Sequence, residues 1–156
     1  QQREHPDLLT PTLAMLASVG VPWVVENVVG APMPGAVLLC GLSLGVKVKR
    51  HRLFAASFPI KGTVCPKGHP GEWFTVFGGG AAKLKWDNRR RATASEAKAA
   101  MGIDWLPRDK LSQAIPPAYT EFVGRQLVAR LRSADNGTGR ASVASTRPAL
   151  TERTPL

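Results

Sequence analysis

Pro22-Trp23-Val24-Val25-Glu26-Asn27-Val28-Val29 is the stretch whose reading decides the fold. An apolar run, Val24-Val25, ends abruptly in an acid and an amide. The pattern predicts a buried strand over 23–26 that delivers Glu26 and Asn27 to its C-terminal edge. In open α/β sheets, ligands bind outside the carboxyl ends of strands. A carboxyl group there can be held protonated, or can accept hydrogen bonds from a heterocycle. Upstream, Thr10-Pro11 reads as a helix start, with Thr as cap and Pro at the first helical position. Leu9, Leu13 and Leu16 recur at helical spacing, and Gly20 with Pro22 beyond it stops the helix. Helix, short turn and buried strand are the rhythm of an α/β sheet.

Working outward, Gly30-Ala31-Pro32-Met33-Pro34-Gly35 reads as a rigid loop bordering the pocket. Ala36–Cys40 reads as a further short apolar strand. Val46 to Phe54 follows, in which Arg50 and Arg52 alternate before an apolar run begins. On a strand, positions i and i+2 share a face, so both guanidiniums would point the same way and His51 the opposite way. Residues 53–58 would form the strand after Arg52.

A strand ending in Glu26-Asn27-Val28, followed by Arg50-x-Arg52 entering a second strand, resembles the DNA (cytosine-5)-methyltransferases. In the family's Gln-x-Arg-x-Arg motif the glutamine position is taken here by Val48. A third block, Leu111 to Leu127 with Ile115-Pro116-Pro117 inside it, looks like the family's closing Gly-Asn-x-Val-Pro-Pro motif and the helix after it. Ser112 and Gln113 stand where Gly and Asn are usual. This substituted form, with Met101–Trp105 ahead of it, is similar to small methyltransferases of the phage and actinobacterial kind. The resemblance covers roughly residues 4–131.

The resemblance implies methylation of cytosine C5 in double-stranded DNA, as in restriction–modification, with S-adenosylmethionine as cofactor. It implies Glu26, Asn27, Arg50 and Arg52 as pocket residues and Gln113 as a candidate cofactor contact. The family's glycine-rich Phe-x-Gly-x-Gly turn does not precede Glu26, and no cysteine stands upstream of it to serve as the Pro-Cys nucleophile. The expectation is therefore the C-terminal part of a partial Rossmann-like methyltransferase fold. The cofactor would be held through a missing N-terminal half or a partner. Two other readings stand beside it: a non-catalytic DNA-binding remnant, and a subunit of a split enzyme.

The chemistry explains the residue types. A thiolate adding at cytosine C6 makes C5 enamine-like and able to attack a methyl donor. Negative charge builds toward N3 and O2. A carboxylic acid at N3 and an arginine near O2 stabilise it. The base must leave the duplex to reach such a pocket. Glu26 and Arg52 are the residues placed on the base, while Arg50 serves the pocket or a phosphate. Cys40 follows Glu26 in an apolar run, Leu38-Leu39-Cys40-Gly41, and reads as core rather than nucleophile.

Charge points the same way. The net charge is +10, and residues 43–98 hold twelve Lys/Arg against three acids, a local excess of +9. Such a block is the footprint of a phosphate-binding surface, with Lys83, Lys85, Arg89, Arg90 and Arg91 as its DNA-binding candidates. The expected organisation is 1–58 as the C-terminal part of the catalytic α/β sheet and 59–94 as a short basic recognition insert. Closing helices follow over 95–132, then a disordered tail over 133–156. Within the closing segment, Ser95 reads as a helix cap, 107–113 as a short helix, and Pro116–Arg132 as a longer one striped by Tyr119, Phe122, Val123, Leu127 and Leu131.

Two cysteines are too few for a disulfide scaffold, and with no membrane-length apolar run and no signal-peptide core a reduced, cytoplasmic protein is expected. Cys65-Pro66-Lys67-Gly68-His69 spaces two zinc ligands, but a structural zinc site needs four, and Cys40 and His51 are the further candidates. No metal is expected on this count.

Overall fold

The computed structural model describes residues 6–71, 73, 74, 76 and 92–137. These residues form a mixed α/β structure. Helix α1 spans Leu9–Ser18, strand β1 Val24–Val28, strand β2 Val37–Cys40 and strand β3 His51–Ala56, followed by α2 at Ala94–Met101 and α3 at Pro117–Gly137. The strands make one antiparallel sheet in the order β1-β3-β2. β1 runs on through Val28, so Glu26 and Asn27 lie inside the strand rather than at its C-terminal edge. β1 is also a half-exposed edge strand, not a buried one, because among the described residues only β3 pairs with it.

The core sits where one face of β3 and β2 meets the two C-terminal helices. Leu39 and Phe54 share this face and pack with Ala97, Met101, Leu111, Tyr119 and Val123. The Tyr119 ring stacks on Phe54 at 6.0 Å between centroids, and its hydroxyl donates to the Arg50 carbonyl at 2.8 Å. That approach requires glycine at position 41. A Cβ there would come within 2.7 Å of both the Tyr119 hydroxyl and the Val48 carbonyl oxygen. The α3 stripe follows the sequence pattern in part: Tyr119 and Val123 are buried, Phe122 and Leu127 half-buried, and Leu131 exposed.

Helix ends depart from the sequence reading for local reasons. In α1, Thr10 lies inside the helix, and the Asp7 carboxylate accepts from the Leu9 and Thr10 amides instead. Helix α2 starts on Thr93, not Ser95. The Thr93 hydroxyl accepts from the Glu96 amide while the Glu96 carboxylate accepts from the Thr93 amide, a reciprocal pair that outcompetes a lone serine. Gly102, in the left-handed region at φ 66°, ends it. Residues 107–113 form consecutive hydrogen-bonded turns rather than a helix. Helix α3 continues through 133–137, part of the expected tail, and 138–156 lie outside the described residues.

The two edges of the sheet are finished differently. Along β2, the Thr63 amide donates to the Leu38 carbonyl at 3.1 Å and the Cys40 amide to the Thr63 hydroxyl at 2.7 Å, so the chain near Thr63 covers that edge. Gln126 of α3 clasps the same segment by accepting from the Lys61 amide at 2.7 Å. On the β1 side, α1 buries none of its residues, and Met15, Val19, Val24 and Val28 are exposed.

Candidate functional site

Antiparallel pairing of β1 with β3 sets Glu26 opposite Phe54 and Val28 opposite Arg52. Glu26 and Arg52 are thus diagonal neighbours on one face, close enough for long side chains to meet. Arg52 Nε lies 2.8 Å from Glu26 Oε1, an ion pair with both side chains partly accessible. The contact is close but poorly aligned, so Oε1 has no well-directed donor and retains accepting capacity. Burial raises the Glu26 carboxyl above its ordinary value, against the opposing pull of Arg52 and Arg50. A carboxyl group of raised proton affinity beside a guanidinium sets an acid and a cation side by side.

A cleft of about 520 Å³ opens beside the pair, lined by Val28, Val48, Lys49, Arg52 and Ser112 among others. Arg52 lines it directly, and Glu26 contacts Arg52 from outside the lining. Ser112, from the closing block, is thereby brought to the same cleft as the arginine pair. Gln113 beside it is exposed, its amide bonded to the Lys110 carbonyl.

Arg50 does different work from Arg52. It is buried at 7% exposure and donates to the carbonyls of Leu111 and Ser112. Burial, with Arg52 beside it, lowers its guanidinium to about 10. Arg50 lines the same cleft as Arg52 and also fastens the closing block to the sheet. Asn27 alternates to the other face of β1, opposite Leu53, and its side-chain oxygen accepts from the Val28 amide at 2.8 Å. The structure thus brings Glu26 and Arg52 together, keeps Arg50 at the same cleft, and turns Asn27 to the other face. Lys83, Lys85, Arg89, Arg90 and Arg91 lie outside the described residues.

The opposite face of β3 holds a cluster that sequence spacing does not assemble. Cys40 pairs directly with His51 across β2 and β3. The Cys65–His69 turn folds onto them, and one ligand atom from each of Cys40, His51, Cys65 and His69 lies within 4.8 Å of every other. Desolvation lowers both histidines below their ordinary value, with His69 adding to the effect on His51. Counting Cys65-x3-His69 alone gives two ligands, and strand register supplies the other two. Cys40 is fully buried on this face, away from Glu26 and Arg52.

Among the described residues, no helix is long and apolar enough to cross a membrane. Comparison of the chain with protein-family models, with curated proteins and with solved structures gives no match.

Proposed function

We propose that this chain is the base-binding part of a DNA (cytosine-5)-methyltransferase, working with a complementary half. The Glu26–Arg52 pair carries the reading: a carboxyl with raised proton affinity, held against an arginine at the mouth of a cleft. In this role Glu26 holds a proton at N3 of an extruded cytosine, and Arg52 stabilises charge at O2. Arg50 positions the Ser112 segment that closes the cleft. The basic segment 43–98 holds phosphates of double-stranded DNA.

S-adenosylmethionine would supply the methyl group, but the described residues present no glycine-rich strand-to-helix turn to hold it. Cys40 is buried on the far face of the sheet and does not meet the cleft. On this reading cofactor and nucleophile are supplied from outside the described residues. The free edge of β1 and the apolar side chains of α1 are where a larger Rossmann-like sheet would continue.

The test is methyl transfer from labelled S-adenosylmethionine to DNA. The isolated chain is expected to be inactive. Adding an N-terminal half that carries Phe-x-Gly-x-Gly and Pro-Cys is expected to restore transfer to cytosine C5. Glu26→Gln or Arg52→Ala should then lower the rate by about 10²-fold or more. Full activity in both variants would overturn the base-pocket assignment, and robust transfer by the isolated chain would overturn the division of labour.

A further inference from the structure

We infer that Cys40, His51, Cys65 and His69 form a structural zinc site that pins the segment after β3 onto the β2–β3 pair. The inference stands apart from the base-pocket reading, since it concerns the other face of the sheet.

Geometry is the first support. His51 Nε2 lies 3.3 Å from Cys65 Sγ, His69 Nε2 lies 3.1 Å from Cys65 Sγ, and the two Nε2 atoms are 3.0 Å apart. A tetrahedral zinc ion with Zn–N of about 2.05 Å and Zn–S of about 2.3 Å has N···N edges of about 3.3 Å and N···S edges of about 3.5 Å. The observed edges are a few tenths of an ångström shorter, so small outward movements would admit the ion. Two thiolates neutralise a divalent cation. A closed set of two sulfurs and two imidazoles suits zinc in a structural role, with no position left for substrate.

The backbone is shaped to make the cluster. In the turn Cys65-Pro66-Lys67-Gly68-His69, the His69 amide donates to the Pro66 carbonyl at 3.1 Å. Gly68 has φ 73°, and His69 has φ 50°, the one positive φ of a non-glycine residue among those described. That conformation is uncommon outside glycine, although histidine adopts it more readily than most residues. Here it swings the ring back over Cys65, and the Trp73 indole donates to the His69 carbonyl at 3.0 Å, fixing the turn from outside. From the sheet, Cys40 and His51 are cross-strand partners, so their side chains emerge side by side. Both cysteines are free thiols, available as ligands.

The consequence is mechanical. Residues 57–71 contain no helix or strand, yet they run from β3 around to cover the β2 edge. An ion bound by two residues of the sheet and two of this segment would fix both together. It would also hold His51, and with it the strand that presents Arg52 on the other face.

The experiment is metal analysis of the full chain expressed with zinc, followed by replacement with cobalt(II). We expect one zinc per chain after gel filtration, and after exchange the intense visible absorption and thiolate charge-transfer bands of a tetrahedral sulfur–nitrogen site. Removing the ion with a strong chelator should lower Tm by roughly 10 °C or more, and zinc alone should restore it. His69→Ala should lose the ion, whereas His69→Cys, which keeps four ligands, should retain one per chain. Because Cys40→Ser could disrupt the core, the pair at position 69, in the surface turn, decides the matter. A chain that binds neither zinc nor cobalt(II) would overturn the site, as would equal metal content in His69→Ala and the parent. Neither readout involves DNA or methyl transfer, so failure here leaves the base-pocket reading untouched.

Discussion

The β2 side of the sheet is finished and the β1 side is not. β2 ends in fully buried Leu39 and Cys40, its edge is capped through Thr63, and Gln126 of α3 holds that cap down. Among the described residues β1 has one partner; it exposes Val24 and Val28, and is preceded by a helix with no buried residue. Both strands are apolar in sequence. The difference teaches that patterning alone does not bury a strand, because burial needs something to lie over it. The pair proposed to act on a base bridges the two regions, Glu26 from the open strand and Arg52 from the central one.

Substitutions break the comparison at its strongest point first. Leu39→Ala, on the finished side, should cost about 2–5 kcal/mol in urea unfolding, through lost burial and a residual cavity. Thr93→Ala should cost about 1 kcal/mol, because α2 packs in the core and loss of its cap is felt globally. Asp7→Ala removes a similar contact from α1, yet should leave the global unfolding midpoint nearly unchanged, since α1 fully buries no residue. Val28→Ala should change stability by less than about 0.5 kcal/mol. Equal costs for Leu39→Ala and Val28→Ala would erase the distinction between the two sides.

The bridging pair gives a pH-dependent test with no large effect at low pH. The Glu26 carboxyl is raised in the folded chain, so the folded state binds its proton more tightly than the unfolded state does. Its contribution to stability is present below the unfolded carboxylate value and is lost as pH rises through the folded one. Glu26→Gln cannot titrate. Relative to the parent, it should gain stability across that window and keep the gain above it. A stability difference between Glu26→Gln and parent that does not vary with pH would show that burial does not dominate at Glu26.

Some of the site is legible in the amino-acid pattern. Arg50 and Arg52 at i and i+2, ahead of Leu53-Phe54, place two guanidiniums on one strand face, and the end of an apolar run marks Glu26. Their meeting follows from the register that sets Glu26 opposite Phe54 and Val28 opposite Arg52. The division between the arginines is not legible. Arg50 is held by carbonyls of Leu111 and Ser112, about sixty residues further along, and backbone acceptors have no sequence signature. The cap of α2 shows a similar limit, since Thr93 and Ser95 are both plausible caps and only the reciprocal bond with Glu96 separates them.

The sequence by itself determined the order of elements, the local basic excess, the arginine alternation and the Cys-x3-His turn. These are properties of neighbours along the chain, set by period, composition and spacing. Tertiary structure alone decided that Cys40 faces His51, that the turn at 65–69 closes over both, and that, among the described residues, one edge of the sheet is covered while the other is open. Each of these depends on strand register. A one-residue slip turns every side chain to the opposite face, and register is fixed by packing Phe54 and Leu39 against Tyr119 rather than by any local preference.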